Sequence, residues 1–600
     1  SLILVAGAMT LPVSAYADLA PEKHETAVSQ QSGKVIGTVE DDFGPIAGAS
    51  VVVKGTTNGT ITDNDGNFTL NGVKNGDIIQ ISFIGYATRE MPYTGQSSLS
   101  IKLSEDTQKL DEVVVTAMGI RKDAKKLGYA VSTIDAGELI KTGTPDFATS
   151  LYGKASGVRI QAAPGGGTSS VSISVRGLSS ITGTTQPLIV MDGVPIHNGD
   201  ANKDGYWTNQ RVESNGMVDI NPEDIESISI LKGAAASALY GSEAANGVVM
   251  ITSKSGKGQS GLGVDFSANL SFDKVAYMPN IQKEFGPGYD NALLSTASDF
   301  EKQTGFQNTR TDRNGNQVIS PRNTYYSWGR PYDYTTQLYN WNGVTRTHAP
   351  IDHNQWNDVF QTGINQTYNL AITNGTEKGN LRFSYTYVDN TPTQLNSHNN
   401  KHNFALSGSA NILKNLKVDY SANYMRQHVK NRAYRISRLL TNYQGMFTGY
   451  DDIAALKNST VTSLGYMNTN YNSNTLTPDE AWDWNPAGYQ MATEYFWNIF
   501  GKEQLEDNNR FIASVTPSWE IIPGLTARGR LSTDLTYNVI ESKNSTETPN
   551  VFRQPGNYTG YYGLKNSKYE IYYGDLMLMF DRTFAEKYNV SANAGWSARQ

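Results

Sequence analysis

GVDFSANLSF, residues 263–272, alternates without a break: Val264, Phe266, Ala268, Leu270 and Phe272 fall on one side, and Asp265, Ser267, Asn269 and Ser271 on the other. A period of two is the side-chain period of an extended strand, and about ten residues tilted at ~45° reach across the apolar thickness of a bilayer. Eight further segments repeat the pattern: QTYNLAITN (366–374), LRFSYTYVD (381–389), HNFALSGSANI (402–412), LKVDYSANYM (416–425), RFIASVTPSW (510–519), LTARGRLSTDLTYNV (525–539), EIYYGDLMLMFDRTF (570–584) and YNVSANAGWSA (588–598). An apolar set facing lipid and a polar set facing a watery lumen is what such alternation predicts. The fold class expected is therefore mainly β, a transmembrane antiparallel β-barrel.

The connections sharpen this expectation. Short turns (NGTEKGN, LKN, IPG, AEK) join the second segment to the third, the fourth to the fifth, the sixth to the seventh and the eighth to the ninth, whereas the other four links are longer. Two of those, 273–364 and 428–508, are very long. Outer-membrane barrels have short turns on the periplasmic side and long loops outside; a soluble sandwich has no cause for the alternation. The long loops are rich in Tyr, Trp and Asn (YYSWGRPYDY, 325–334; EAWDWNPAGY, 480–489), side chains that stack on sugar rings or grip peptides while offering hydrogen bonds. Trp341, Trp482 and Trp484 are the candidates for substrate or lid contacts; loop-on-loop packing is the competing reading for each. The run stops at Gln600 inside the ninth segment, and an open edge in lipid costs several kcal/mol for each unsatisfied backbone group. The expectation is that the sequence is a piece of a longer barrel.

Residues 120–258 mix helix-like and strand-like pieces and predict a compact α+β domain. Acidic Glu223 and Asp224 follow Pro222 at the start of a short helix, IESISILK (225–232) alternates as a strand, Ala234 to Tyr240 form a small-residue helix ended by Gly241, and GVVMITSK (247–254) is another strand. The order LYGKASGVRI (151–160), VRGLSSITGTTQPLIVMDGVPI (175–196) and NPEDIESISILKGAAASALYGSEAANGVVMITSKSGK (221–257) resembles the plug of the SusC/RagA family of TonB-linked outer-membrane transporters. Its signature positions here are Arg176, Gly177, Asp192, Gly193, Lys232, Gly233, Tyr240, Gly241, Asn246 and Gly247. Gly233 and Glu243 depart from the commoner family pattern, which places an acid and an Arg there. The resemblance implies a 22-stranded barrel, of which about nine strands lie in 259–600.

Toward the N-terminus, KVIGTV, ASVVVKG, GNFTL, DIIQISFIG and SLSIKL between residues 34 and 103 predict a small antiparallel β-sandwich, spanning 33–104. It resembles the carboxypeptidase-regulatory-like domain through residues 37–56, TDNDGNF (62–68) and ISFIGY (81–86). Next comes a linker, 105–119, in which Val113 to Thr116 form a short apolar patch with charged flanks and no partner strand nearby. An extended segment with unpaired backbone groups suits strand addition to another protein. Given the SusC/RagA resemblance, DEVVVTA (Asp111, Glu112, Val113, Val114, Val115, Thr116, Ala117) looks like a TonB box. Residues 1–17 read as a clipped secretory signal with Ala15 and Ala17 at a small-x-small cleavage site, followed by a polar linker, 18–32.

Composition removes other classes. Seven histidines (24, 197, 348, 353, 398, 402, 428) form no HExxH or HxxE spacing, and there is no nucleophile elbow or phosphate loop, so no enzyme is expected. Zero cysteines exclude disulfides and thiolate metal sites, and a net charge of -7 without a basic cluster argues against nucleic acid. Fifty-six glycines, thirty-four tyrosines and no 18-residue apolar stretch disfavour helical spans. Two calcium-loop look-alikes fail on their ligands: TDNDGNF lacks a closing Glu, and in the loop from Asp200 through Asn202, Asp204 and Gly205 the twelfth position is Arg211. No metal or cofactor is expected. The resemblance implies active import of oligosaccharides or peptides across the outer membrane, with periplasmic N-terminal domains, TonB with ExbB/ExbD as the energy source, a SusD-like surface lipoprotein as lid, and lipid around the barrel.

Overall fold

The computed structural model describes residues 33–600 apart from 42–43, 57, 84–85, 87, 104–112, 116–120, 124–130, 136, 138–149, 163–170, 176, 178–185, 199–210, 212–215, 218, 233–239, 260, 289–296, 323–325, 435–447, 469–479, 485–489, 548–559 and 585–587. The leader, Asp111, Glu112, Thr116, Ala117, Arg176, Gly233, the 200–205 loop and the expected helix from Ala234 lie outside these residues, Tyr240 excepted.

Short alternating segments separated by Gly and Asp turns fold into seven strands: β1 (Gly33–Glu40), β2 (Ser50–Val53), β3 (Gly59–Ile61), β4 (Asn67–Val73), β5 (Ile78–Ser82), β6 (Arg89–Pro92) and β7 (Ser98–Lys102). They pair as two sheets, β4-β1-β7 and β3-β2-β5-β6. Val35, Val39, Val51, Leu70, Ile79, Ile81 and Ile101 form the core between them. TDNDGNF is a tight turn: Asp63 accepts backbone N–H bonds from Asp65 (3.0 Å) and Asn67 (2.8 Å), and Gly66 takes φ 73°. One detail corrects the antiparallel expectation. β7 runs parallel to β1, from Ile36 opposite Ser98 to Glu40 opposite Lys102, because the chain crosses to the other sheet before returning.

The expected lone strand is also corrected. β8 (Val113–Val115) pairs antiparallel with β9 (Arg121–Asp123), Val114 opposite Lys122. The strand that begins after five intervening residues lies alongside, so the valines satisfy backbone groups locally.

The following domain holds β10 (Val131–Asp135), β11 (Val158–Ala162), β12 (Val171–Val175), β13 (Leu188–Met191), β14 (Val194–Pro195), β15 (Ile225–Leu231) and β16 (Val248–Ser253). Its main sheet has the order β10-β15-β16-β13-β14, with β10 on one edge and β11-β12 as a separate ribbon. Ile173, Ile189, Ile228, Ile230, Val249 and Ile251 are fully buried in its core.

The nine barrel segments form one meander of neighbours, each antiparallel to the last. They are β17 (Gly261–Asp273), then, after the loop strands β18 (Gln307–Thr311), β19 (Gln317–Ser320), β20 (Gln337–Tyr339) and β21 (Thr345–Thr347), β22 (Gly363–Thr376), β23 (Gly379–Thr391), β24 (His398–Leu413), β25 (Leu416–Lys430), β26 (Lys502–Ile522), β27 (Leu525–Asn544), β28 (Tyr561–Phe584) and β29 (Tyr588–Arg599). The sheet is a partial barrel. Phe266, Leu270, Leu370, Ile372, Phe383, Leu406, Val515 and Leu531 lie exposed on one face, whereas Asn369, Arg382, Ser384, Thr386, Lys401, Asn403, Arg510 and Asp534 are buried on the other. The strands reach 24 residues, longer than the ten expected. Their ends pass the apolar band while keeping its parity: beyond Tyr424, β25 continues with Arg426, His428 and Lys430, and His428 meets Asp507 at 3.0 Å.

The described parts of both very long loops are ordered into helices and short strands. They carry α1 (Asp299–Thr304), α2 (Ile453–Asn458) and α3 (Gln490–Phe500). Ser298 and Glu301 close a capping box on α1, satisfying two of the donors a helix start leaves open.

Candidate functional site

Three sets of residues stand out, one in the inner domain, one between it and the barrel wall, and one in the long loops. In the inner domain, β13 and β14 are joined by only Asp192 and Gly193, at φ 50° and 81°. Two positive φ values in a two-residue link are the type I′ hairpin, for which Asp-Gly is a favoured pair. The Asp192 carboxylate accepts from Ser253 N (2.9 Å) and Ser253 Oγ (2.7 Å), tying the turn to β16. Gly193 then presents its carbonyl to Arg530 of β27, Nη1 donating at 2.5 Å. A Cβ on Gly193 would meet that guanidinium at 1.8 Å, so the glycine is needed for close approach as well as for φ. Lys232 donates to Ser132 Oγ (2.7 Å) and Ser156 O (2.6 Å). Gly241 and Gly247 take φ 69° and 95°, and Gly247 O accepts from Leu188 N at 3.0 Å. Asn246 Nδ2 donates to Gln186 O (3.3 Å), Tyr240 packs on Leu231, Val248 and their neighbours, and Gly177 takes φ 95°. The described signature residues thus shape turns and brace strands.

The second set is the contact between this domain and the barrel wall, of which the residues carry little local sign. Arg510 on β26 uses all five of its N–H donors: Nε to Asp534 Oδ1 (2.9 Å), Nη2 to Asp534 Oδ2 (2.7 Å) and His197 O (2.9 Å), Nη1 to Asp219 Oδ2 (2.9 Å) and Gly216 O (2.8 Å). His197 N closes the ring on Asp534 Oδ2 at 2.9 Å. Burial holds the Asp219 carboxyl above the usual carboxylate range, against the pull of Arg510. A second clamp lies on β23. Arg382 Nη1 meets Asp224 Oδ1 at 2.7 Å, Ser384 Oγ donates to the same oxygen, and Asn221 Nδ2 reaches both Asp224 Oδ2 (2.6 Å) and Thr386 Oγ1 (2.7 Å). Asp224 owes its aim to the 3₁₀ turn Pro222–Asp224, capped by Asn221. Charge pairs taken out of water need such full satisfaction to hold. The signal available in sequence was parity alone: Arg382 and Arg510 share the polar, lumenal parity of their strands, but nothing local names their partners.

The third set is the loop core. Trp341, Trp356, Trp482, Trp484, Tyr434, Ile453, Leu456, Tyr495, Phe496 and Ile499 are packed together, joining residues of both long loops. Trp482 is 2% exposed and meets Trp341 edge-on at 4.9 Å. Arg310 lies over the Trp484 ring at 5.4 Å. Arg313 anchors the segment, its Nε at 2.8 Å from Asp483 Oδ1. The three candidate tryptophans are brought together, with ring area spent on loop-on-loop packing; Trp341 and Trp484 also border a cleft with Arg322, Asn340, Arg346 and Asp452. In a second, smaller core, His348 sits against Phe306 and Tyr332, both at 4.9 Å.

A small domain is seated in a barrel wall by buried arginine clamps, its sheet ends in the edge strand β10, and the two valine-rich and basic strands β8 and β9 precede that edge.

Comparison with known proteins places these parts. The TonB-dependent Receptor Plug Domain matches residues 123–248, and the CarboxypepD_reg-like domain matches residues 32–115. The chain is 44% identical over 245 residues to the TonB-dependent receptor SusC of Bacteroides thetaiotaomicron, covering 40% of this chain and 23% of that protein. It is 27% identical over 583 residues to the TonB-dependent receptor P39 of Formosa agariphila, covering 96% of this chain and 46% of that protein. Among solved structures, the RagAB peptide importer in its open-open state superposes with a TM-score of 0.53 at 18% identity, over 81% of this chain and 48% of that one. The matched part of the chain thus spans less than half the length of these relatives.

Proposed function

We infer that this chain, a TonB-dependent receptor of the SusC/RagA type, serves the active import of large nutrients across the outer membrane. One observation carries the reading: the first strand of the inner sheet after the box, β10, is an edge strand among the described residues, paired with β15 through the five pairs from Val131–Leu231 to Asp135–Ser227. Force arriving from the N-terminal side loads that edge first. The clamps at Asp219, Asp224 and Gly193 come later in the chain, so the sheet is peeled from its free edge while the rest stays seated.

The outer membrane has no ATP beside it, so the work comes from the inner membrane, where each charge moved is worth ~2.3 kcal/mol per 100 mV. TonB, with ExbB/ExbD, delivers it by adding a strand to Val113–Val115, displacing β9. The cargo is an oligosaccharide or a peptide; the peptide alternative is favoured by what the RagAB importer carries, the glycan alternative by the aromatic and amide-rich loops. A SusD-like lipoprotein closes over those loops. The barrel sits in outer-membrane lipid, with the N-terminal domains in the periplasm and no catalytic step. In a strain lacking TonB, surface binding of the cargo should persist and uptake should stop. Uptake that continues without TonB would overturn the reading.

A further inference from the structure

Arg211 belongs to the inner domain by sequence but ends in the loop core. Its backbone forms an antiparallel bridge with Tyr434. Its guanidinium donates from Nη1 to Arg432 O at 2.9 Å, and from Nη2 to Asn498 O at 3.1 Å and Lys502 O at 3.2 Å. Asn498 lies in the last turn of α3, where a helix leaves four carbonyls without partners of its own. Three of them are met from outside the helix. Trp497 O accepts from Gly501 N (2.8 Å), Ile499 O from Asn396 Nδ2 (2.7 Å), and Asn498 O from Arg211. A cation is favourable at that end of a helix, and the last turn of α3 has no basic residue. Arg211 supplies it from a different domain.

The same contact is tied into the aromatic packing. Asn498 Nδ2 donates to Tyr434 Oη at 3.0 Å, and Tyr434 meets Tyr495 edge-on at 5.7 Å. Tyr495, Phe496 and Ile499 of α3 are themselves part of the loop core with Trp341, Trp482 and Trp484. Displacing Arg211 therefore removes a cap from the helix on which the loop core is built, and a backbone bridge from Tyr434, which packs on that helix.

We propose that Arg211 is a positioning residue that makes the order of α3, and through it of the loop core, conditional on the inner domain being seated in the barrel. When the inner domain is drawn toward the periplasm, the C-terminus of α3 loses its cation, the loop core loosens, and cargo held by the loops is released as the path opens. The linkage itself is structural; that it regulates cargo release rests on the import reading above.

Hydrogen exchange on the intact transporter in detergent tests the linkage. With Arg211→Ala, amides in 495–503 should exchange about ten- to a hundredfold faster, the loss expected for charge-assisted bonds to buried carbonyls, while β15, β16 and β24 keep their rates. Arg211→Lys, which keeps the charge but cannot span three carbonyls, should recover part of the protection. A variant lacking residues 120–258 should show the same acceleration in 495–503. Unchanged exchange there in Arg211→Ala, equal loosening of β15 and β16, or a protected α3 after removal of the domain would each overturn the proposal. None of these readings depends on uptake, so a protein that shows the linkage and fails to transport would count against the import reading alone.

Discussion

Replacing Arg510 with Met removes a cation of similar reach that serves five acceptors at once. Asp219 and Asp534 are both left without their buried cation, and the carbonyls of Gly216 and His197 lose their Arg510 donor. Breaking a buried pair by removing one partner costs roughly 3–5 kcal/mol, much of it the uncompensated charge left behind. At ~1.4 kcal/mol per tenfold, the population with the inner domain unseated should rise between about a hundredfold and several thousandfold. Hydrogen exchange reads this directly: amides of 216–224 and 197 should lose protection, whereas barrel pairs such as β23–β24 should not. Adding Asp219→Asn and Asp534→Asn to Arg510→Met should recover a large part of the loss, since neither carboxylate then remains as a buried charge without its arginine. Full protection of 216–224 in Arg510→Met, or loss spread equally over the barrel, would refute the clamp.

Three further outcomes are expected. Burial raises the Asp451 carboxyl to about 7, against its bonds from Thr448 and the pull of Arg346, so the folded loop holds a proton that the unfolded loop releases near pH 3.8. A raised folded value gives stability that is full below about pH 4 and is lost as pH rises through 7, up to ~4 kcal/mol; Asp451→Asn should make loop protease resistance nearly flat between pH 4 and 8, and an unchanged slope would contradict this. Trp482→Ala empties a site 2% exposed and should cost the loop core about 3–5 kcal/mol, seen as proteolysis within 431–501 with the barrel intact; normal loop resistance would restore Trp482 to the status of a surface contact. The sandwich 33–104 has its own core and should melt cooperatively when expressed alone, and a non-cooperative trace would argue against that independence.

Much of the architecture was legible because it rests on period and local turn chemistry. Nine alternating segments became nine strands in sequence order, and short turns such as Leu413–Leu416 fell where the residues placed them. Asp192-Gly193 announces its own hairpin. What could not be read is what depends on distant partners. Arg510 meets Asp219 only because two domains nest, and the separation of 291 residues leaves no local trace. The parallel course of β7 follows from a crossover between sheets, and the pairing of β8 with β9 from a short link that returns the chain. For Trp341, Trp482 and Trp484 composition gave the right place and an open choice of partner; the structure supplies packing partners, and a role toward cargo stays part of the proposal.

In the import reading proposed above, force enters through Val113–Val115. If TonB adds a strand there, an extended backbone with its N–H donors is what matters. Proline lacks the donor and is poorly tolerated in a paired strand, whereas alanine keeps it. Val114→Pro and Val114→Ala are therefore compared in whole cells for cargo binding and for growth on that cargo as sole nutrient. Binding should survive in both variants, growth should fail with proline, and alanine should be nearly normal. Normal growth of Val114→Pro would rule out this segment as the point where force enters, since force would then enter elsewhere or not at all.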